Sequence, residues 1–429
     1  MHGIPESERN KTEFMRSLDH AEANFWLYDH VSSMNFAVMA SGSGDLKAED
    51  LRYGLDTVQS RHGLARVAIE RKYGADPHLC FITDPNAKIP LVIEELSQDW
   101  KTKLAKDSIR PFSLGEAPLI RAVFYRSNDG SDWAFAIVFH HSIADGRSGM
   151  YFLLDVFEVL SLGRKEHSSS PQILPSLMDL YSAEGRANEE KLKEKPLSLP
   201  RFSRKDNELN PEIISFQIES DVLQELIRKG REKGVSLHGI LGAAQISSFY
   251  NLFGAGTAGV LNLSTPADLR PYLSQSIGDS SLGLYITLLT TQLKFGTSFW
   301  SLAKQIKDDL KNRLNRREGR AFYELLPPPE QFLQREDGLR VFSSLMTKTP
   351  QTSVLSNVGV LPDYEIPNLR IGEISFTVHP SLTQTLFTTA ATFRGRLVIN
   401  INFDSNRWEK SEIRQYVSNF QKVLLKQVS

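Results

Sequence analysis

The sequence predicts a mixed α/β chain built in two halves, and three observations lead there. Strand-like apolar runs interleave with segments that carry apolar residues at helical spacing, from Phe14 to Val428. A polar, proline-studded stretch breaks that pattern near its middle: Ser168-Ser-Ser-Pro171, Pro175, Glu189 to Pro196, and Pro200. The length, 429 residues, fills two domains of ordinary size. The expected division is residues 1–165, a crossover over 166–211, and residues 212–429.

Composition narrows the class. Hydrophobic residues make up 41% and charged residues 24%, which fits a globular chain rather than a disordered one. A formal net charge of -1 gives no general pull toward nucleic acid or an anionic membrane, so nucleic acid is not an expected partner. The single cysteine, Cys80, cannot form an intrachain disulfide. It lies in the strand-like run His78 to Ile82 and reads as packing. The opening Met1 to Lys11 is too polar for a secretory signal, and no run is long and apolar enough to span a bilayer. A cytoplasmic location is the expectation.

The first half reads as follows. Ser17 or Asp19 caps a helix ending near Tyr28. Ser33 to Ala40 is strand-like, and Gly42-Ser-Gly44 reads as a turn. Leu51, Leu55 and Val58 form the core stripe of a helix between Leu46 and His62. The basic Arg61-His62-Gly-Leu-Ala-Arg66 closes that helix before a strand at Val67 to Glu70; no catalytic role falls to His62. Strands are expected at His78 to Thr83 and Leu91 to Glu95, with a helix near Trp100 to Lys106. Asp129-Gly130 joins Ile120–Tyr125 to Trp133–Phe139 as a hairpin. That hairpin delivers Phe139-His140-His141-Ser-Ile-Ala-Asp145-Gly146. Met150 to Leu160 then reads as a helix with an apolar face.

Two histidines at the end of a buried strand, in a turn that opens a helix, suit proton transfer at neutral pH. Consecutive strand residues face opposite ways, so His140 and His141 do not share a cleft if the strand runs on. His141 has the parity of Phe135, Ile137 and Phe139; His140 has that of Ala136 and Val138. One histidine is therefore chemical and the other packed. Such divergence also argues against a metal held by His140, His141 and Asp145, and no metal is expected. Asp145 could hold the turn through an arginine from elsewhere, and Gly146 would let the chain bend sharply.

His140-His141-x-x-x-Asp145-Gly146 resembles the HHxxxDG signature of the CoA-dependent acyltransferase superfamily. That superfamily includes chloramphenicol acetyltransferase, the BAHD acyltransferases, condensation domains of nonribosomal peptide synthesis and polyketide-associated acyltransferases. Pro111-Phe-Ser-Leu to Pro118-Leu119 is similar to its PFDL…PPLL segment, and Arg61 to Arg66 to its RHxxLR segment. The resemblance implies two chloramphenicol-acetyltransferase-like sandwiches with a tunnel between them. It implies His141 as catalytic base and Asp145 as a structural residue paired with an arginine.

The second half continues the resemblance. A strand at Ile213–Ile218 precedes a helix capped near Ser220 or Asp221. Gly234 to Ala244, with Ser236 as N-cap, resembles a GVTLHAxLxAA helix, and His238 within it reads as packing. Gly259 to Pro271 is strand then turn, similar to an xxxPxxLRP segment. Arg270 is the candidate partner of Asp145; a surface arginine before a proline is the competing reading. Ser281-Leu-Gly-Leu-Tyr-Ile-Thr287 resembles the GxFVNT strand. Phe299 to Leu314 is a basic amphipathic helix, whose charged face suits solvent or a carrier protein. Ser353 to Gly359 resembles the SN(V/I)G loop, in which Ser356 and Asn357 would stabilise an oxyanion. Leu397, Ile399, Ile401 and Phe403 share one strand face, with Asn400 and Asn402 on the other. Trp408 to Val428 closes the chain as a helix.

The BAHD hallmark DFGWG is absent, which disfavours that branch. The expected activity is transfer of an acyl group from a thioester to a small-molecule alcohol. Acyl-CoA or acyl-phosphopantetheine would be substrate, with no cofactor, and an acyl-carrier protein is an admissible partner. A free-standing, monomeric enzyme is expected. Amide formation on an amine acceptor is the alternative, and a silent binding protein that keeps the tunnel is a third.

Overall fold

A computed structural model describes residues 13–163, 174–181, 196–197, 209–253, 258–350 and 352–428. The opening Met1 to Lys11 and most of the crossover, including Ser168 to Pro171, Glu189 to Lys195 and Pro200, lie outside the described residues.

The first half runs β1 (Glu13–Ser17), α1 (His20–Ser32), β2 (Phe36–Gly44), α2 (Ala48–Arg61), β3 (Val67–Arg71), β4 (Leu79–Thr83), β5 (Leu91–Glu95), α3 (Trp100–Ser108), β6 (Ile120–Arg126), β7 (Asp132–Phe139) and α4 (Gly146–Leu162). Asp19 caps α1 through a capping box with Glu22, while Ser17 lies in β1. The hairpin over Asp129-Gly130 pairs β6 with β7 antiparallel. Period-two alternation along β7 separates two layers. Phe135, Ile137 and Phe139 enter the main core with α4, whereas Ala136 and Val138 meet Leu104 of α3.

The second half runs α5 (Leu177–Leu180), β8 (Pro211–Ile218), α6 (Ser220–Glu232), α7 (Leu237–Phe253), β9 (Val260–Asp268), β10 (Ile286–Lys294), α8 (Phe299–Asn315), α9 (Ala321–Glu324), α10 (Pro329–Leu333), α11 (Gly338–Met346), β11 (Thr352–Val360), β12 (Leu369–Val378), β13 (Gln384–Phe393), β14 (Arg396–Asp404) and α12 (Lys410–Val428). A six-stranded sheet has the order β10-β9-β11-β13-β14-β8. Leu397, Ile399, Ile401 and Phe403 of β14 pack with residues of α6, α7 and α12 to form the second core.

The division into halves is not clean. The five-stranded sheet has the order β12-β2-β7-β6-β5, so β12, from the second half, completes the first half's sheet. Phe332, Leu333, Phe342 and Met346 of α10 and α11 also join the first core. β12, which lies within 212–429, thus packs with the first half's sheet. The reason is packing: β2 would otherwise be an open edge, and β12 covers it along its length. The polar face of β14 meets this donated strand. Asn400 Nδ2 donates to the Phe376 carbonyl at 2.9 Å, and Thr377 Oγ1 donates to Asn402 Oδ1 at 2.5 Å. Both asparagines are buried, so these bonds satisfy groups that would otherwise cost stability.

Three sequence expectations shift in place. Gly42 to Gly44 is not a turn but the end of β2. A Cβ on Gly42 would lie 2.0 Å from the Arg370 carbonyl oxygen and 2.7 Å from the Trp133 ring. Glycine is there to admit β12, not to turn the chain. The helix after β8 starts at Ser220, so its cap is Glu219. Ser281 to Tyr285 precedes β10 rather than lying in it.

Gly42→Val is expected to destabilise the fold by about 1–3 kcal/mol or more through forced separation of β2 from β12. Gly372→Ala, where a Cβ would meet Ser41 O at an ordinary 3.5 Å, is the control, with a change within about 0.5 kcal/mol. Urea unfolding of the two variants measures the difference.

Candidate active site

The turn after β7 is built around Asp145. Its backbone is extended, and its carboxylate caps α4 by accepting the Ser148 N–H at 2.8 Å. The other carboxylate oxygen accepts the Tyr285 N–H at 2.9 Å. It also faces Arg270 Nη2 at 3.0 Å, in an ion pair whose side chains are 0% and 3% exposed. Arg270 lies just past β9, and its Nη1 donates to Asp268 at 3.0 Å. Burial pulls the guanidinium pKa down, but Asp145 and Asp268 outweigh it and leave it raised. The segment before β10 closes the clamp. The Gly283 carbonyl accepts from Asp145 N–H and Ser148 Oγ, both at 3.0 Å. A Cβ on Gly283 would sit 2.4 Å from the Tyr285 ring. The second half thus holds the first half's turn by four contacts, from Arg270, Gly283 and Tyr285.

The two histidines diverge. Both follow the last residue of β7 and are buried. His140 Nδ1 accepts the Ser142 N–H at 3.1 Å, and its Nε2 faces Asp29 at 3.7 Å. Burial lowers its pKa. His141 lies against aromatic rings instead: Phe25 stacks on it with centroids 4.2 Å apart and 19° between planes, and Phe36 lies at 5.0 Å. Burial holds the His141 imidazole down at about 4, against the opposing pull of Asp145. Burial therefore keeps the ring uncharged at neutral pH.

Gly146 is the first residue of α4 and has no positive φ. A Cβ there would meet Phe376 at 3.6 Å, an ordinary contact. The bend expected of Gly146 is made by the Asp145 cap. The glycine with no room is Gly149, where a Cβ would lie 2.6 Å from the Phe36 ring beside His141. The second glycine in HHSIADGRSG, one turn into a helix, is the available signal for it.

Ser353 to Gly359 forms a strand, not a loop: it is most of β11, parallel to β13. Its pairing with β9 spans only Ser353 and Val354. Ser356 and Asn357 are neighbours on that strand, so their side chains leave opposite faces. Ser356 shares the parity of Val354 and Val358, which pack on the first core. Val358 reaches within 4.0 Å of a Cβ position on Gly146. Asn357 shares the parity of Leu355, a second-core residue, and its Oδ1 accepts the Gly359 N–H at 3.0 Å. The two side chains therefore do not converge, and only Ser356 lies on the face of β11 that carries the first-core residues Val354 and Val358. His62, given no catalytic role, and His238, read as packing, are both held near 4 by burial, and His238 Nε2 pairs with Thr265 Oγ1 at 3.0 Å.

A cavity of about 950 Å³ lies between the halves. Phe25, Tyr28 and Met34 line it from the first half; β9, β10, α8, α11 and the segment from Ser381 to Gln384 line it from the second. His141 does not itself form its wall. Phe25 does, and Phe25 is the ring stacked on His141. Sequence reasoning misses Phe25, because an apolar residue within α1 carries no chemical mark.

Replacing Asp145 with Ala, or Arg270 with Met, is expected to cost on the order of 3–5 kcal/mol each, because either change leaves a buried group uncompensated. The double variant is expected to cost clearly less than the sum, by about 1–3 kcal/mol. Chemical unfolding of the four proteins closes the cycle; strict additivity contradicts the pairing.

A model of the condensation-domain family matches residues 26–429. One of the plipastatin synthases of Bacillus subtilis (strain 168) is 22% identical over 427 residues, which is 93% of this chain and 15% of that protein. The chain spans between 3% and 15% of the length of the curated synthetases it matches. Among solved structures, TRI3 trichothecene 15-O-acetyltransferase from Fusarium sporotrichioides superposes with a TM-score of 0.72 at 13% identity, over 99% of this chain and 100% of that one. Polyketide synthase associated protein 5 from Mycobacterium tuberculosis gives 0.69 at 15% identity, over 97% and 98%. These likenesses establish the fold, and the match from within α1 to the last residue settles the lineage: the chain belongs to the condensation-domain family, and its fold is that of the related acyltransferases.

Proposed function

We propose that this protein transfers an acyl group from a thioester to an alcohol, with His141 as general base. The observation that carries the reading is an uncharged, buried imidazole stacked on Phe25, a wall residue of the cavity that both halves line. The alcohol O–H gives its proton to the imidazole as its oxygen attacks the thioester carbonyl carbon. The carbonyl becomes an oxyanion, which the Ser356 hydroxyl stabilises. The C–S bond then breaks, and the imidazolium returns the proton to the departing thiolate. Atoms balance without a covalent acyl-enzyme. Asp145 and Arg270 hold the turn; His140 packs against it. The donor is acyl-CoA or an acyl-carrier thioester.

Ester formation is supported by the fold neighbour TRI3, an O-acetyltransferase. The second reading, amide formation on an amine, is supported by the match to peptide synthetases. Both use the same base, so the acceptor separates them. No helix among the described residues is long and apolar enough to cross a membrane.

The test is thiol release from a panel of acyl-CoAs and acyl-carrier thioesters, with matched alcohols and amines as acceptors. Turnover with alcohols, and much weaker turnover with the amines, is the expected outcome; the reverse preference selects the amide reading. His141→Ala is expected to lower kcat/KM by roughly 10²–10⁴-fold. Full activity in His141→Ala on a productive acceptor removes the proposal. Ser356→Ala is expected to lower kcat with little change in KM, as loss of a bond made only in the transition state requires.

A further inference from the structure

A second depression, of about 480 Å³, opens where β7 begins. Asp132, the first residue of β7, lines it, and the strand runs from there toward His141. At a strand's ordinary rise β7 is roughly 23 Å long, so the depression and the candidate active site lie at its opposite ends. A row across three strands forms its floor. Arg370 of β12 pairs with Ser43 of β2, and Ser43 pairs with Asp132. Residues directly opposite on paired strands share a face, and Ser41, two residues before Ser43, shares it too. On that face Ala134 packs with Leu96 and Trp100, which supply an apolar wall. The second half adds Arg396, the first residue of β14. Arg396 has the parity of Asn400, which bonds to β12.

Other charges at this junction are already paired. Arg394 donates to Asp363 at 2.7 and 2.9 Å and to the Ile371 carbonyl at 2.8 Å. Lys101 pairs with Glu373 at 2.6 Å. Arg370 and Arg396 differ: neither guanidinium has a hydrogen-bond or ion-pair partner among the described residues, and the Ser41 and Ser43 hydroxyls have none either. Asp132 stands two strands from Arg370, roughly 10 Å away at ordinary sheet spacing, and makes no ion pair with it. Two unanswered cations against one carboxylate leave the depression net positive. A concave surface of one sign concentrates ions of the other. Guanidinium donors form a planar fork that matches the oxygens of a carboxylate or phosphate, and neighbouring hydroxyls can donate to the same group.

We propose that this depression binds a small carboxylate- or phosphate-bearing anion, held by Arg370 and Arg396 with the Ser41 and Ser43 hydroxyls. The site is separate from the cavity between the halves and rests on no reading of His141. Arg370 belongs to the five-stranded sheet and Arg396 to the six-stranded one, so a bound anion bridges the two sheets.

The probes are pyrophosphate and citrate, titrated by calorimetry into the intact chain and into Arg370→Gln, Arg396→Gln, Asp132→Asn and Lys426→Gln. Lys426 is exposed on α12, so its loss removes the same charge without touching the depression. At least one probe is expected to bind with a Kd of about 1 mM or tighter. Each arginine variant is expected to weaken it about tenfold, as loss of a charge-assisted hydrogen bond requires, while Lys426→Gln binds as the unaltered protein does. Asp132→Asn is expected to tighten binding, because a nearby like charge is removed. Preference for pyrophosphate assigns a phosphate ligand, and preference for citrate a carboxylate. Binding of neither probe, equal weakening in Lys426→Gln and the arginine variants, or weaker binding in Asp132→Asn overturns the proposal. Arginine Nε–H resonances, assigned by their loss in the two arginine variants, give a second reading on the unaltered protein. Shifts confined to Arg370 and Arg396 as a probe is added support the site; shifts spread evenly over the other arginines overturn it.

Discussion

The buried ion pair between Asp145 and Arg270 is the contact on which the rest of the site depends. It joins the turn after β7 to the turn after β9, so it ties together segments that are far apart in sequence. A buried pair of this kind adds little net stability, because desolvation offsets the attraction. What it supplies is geometry. The same carboxylate caps α4 and accepts the Tyr285 amide, so strand end, helix start and second-half loop are fixed by one side chain. His141 precedes that carboxylate by four residues and packs against the rings of Phe25 and Phe36.

The donated strand does the same work at larger scale. β12 covers the edge of β2, and its outer side meets the polar face of β14. Two cores that could drift as separate domains are thereby held in one relation. A cavity at their junction keeps its shape only under such restraint, and catalysis by a positioned base needs it. Fold, clamp and cavity form one chain of cause.

Much of this is legible in the sequence, and the rest fails for identifiable reasons. β6, β7 and their turn follow from alternation and Asp129-Gly130, and the opposite-facing histidines from parity. Asp145 with Arg270 is readable only as a pairing of types, since distance between segments is not written in a single chain. The placement of β12 escapes because strand pairing across halves is a long-range choice that local pattern does not encode. Gly42 misleads because a glycine that admits a neighbouring strand looks the same, in sequence, as one that turns. Phe25 carries no motif. Its place comes from what it faces, the His141 ring on one side and the cavity on the other.

Everything proposed for the chemistry requires the fold to keep the His141 imidazole uncharged and fixed beside the shared cavity. Titrating its ¹⁵N-labelled ring by NMR tests this most directly. A neutral ring with a midpoint of about 4, where burial places it, is the predicted result. A midpoint at or above the ordinary 6.5 would mean that burial does not hold the ring neutral, and would contradict it.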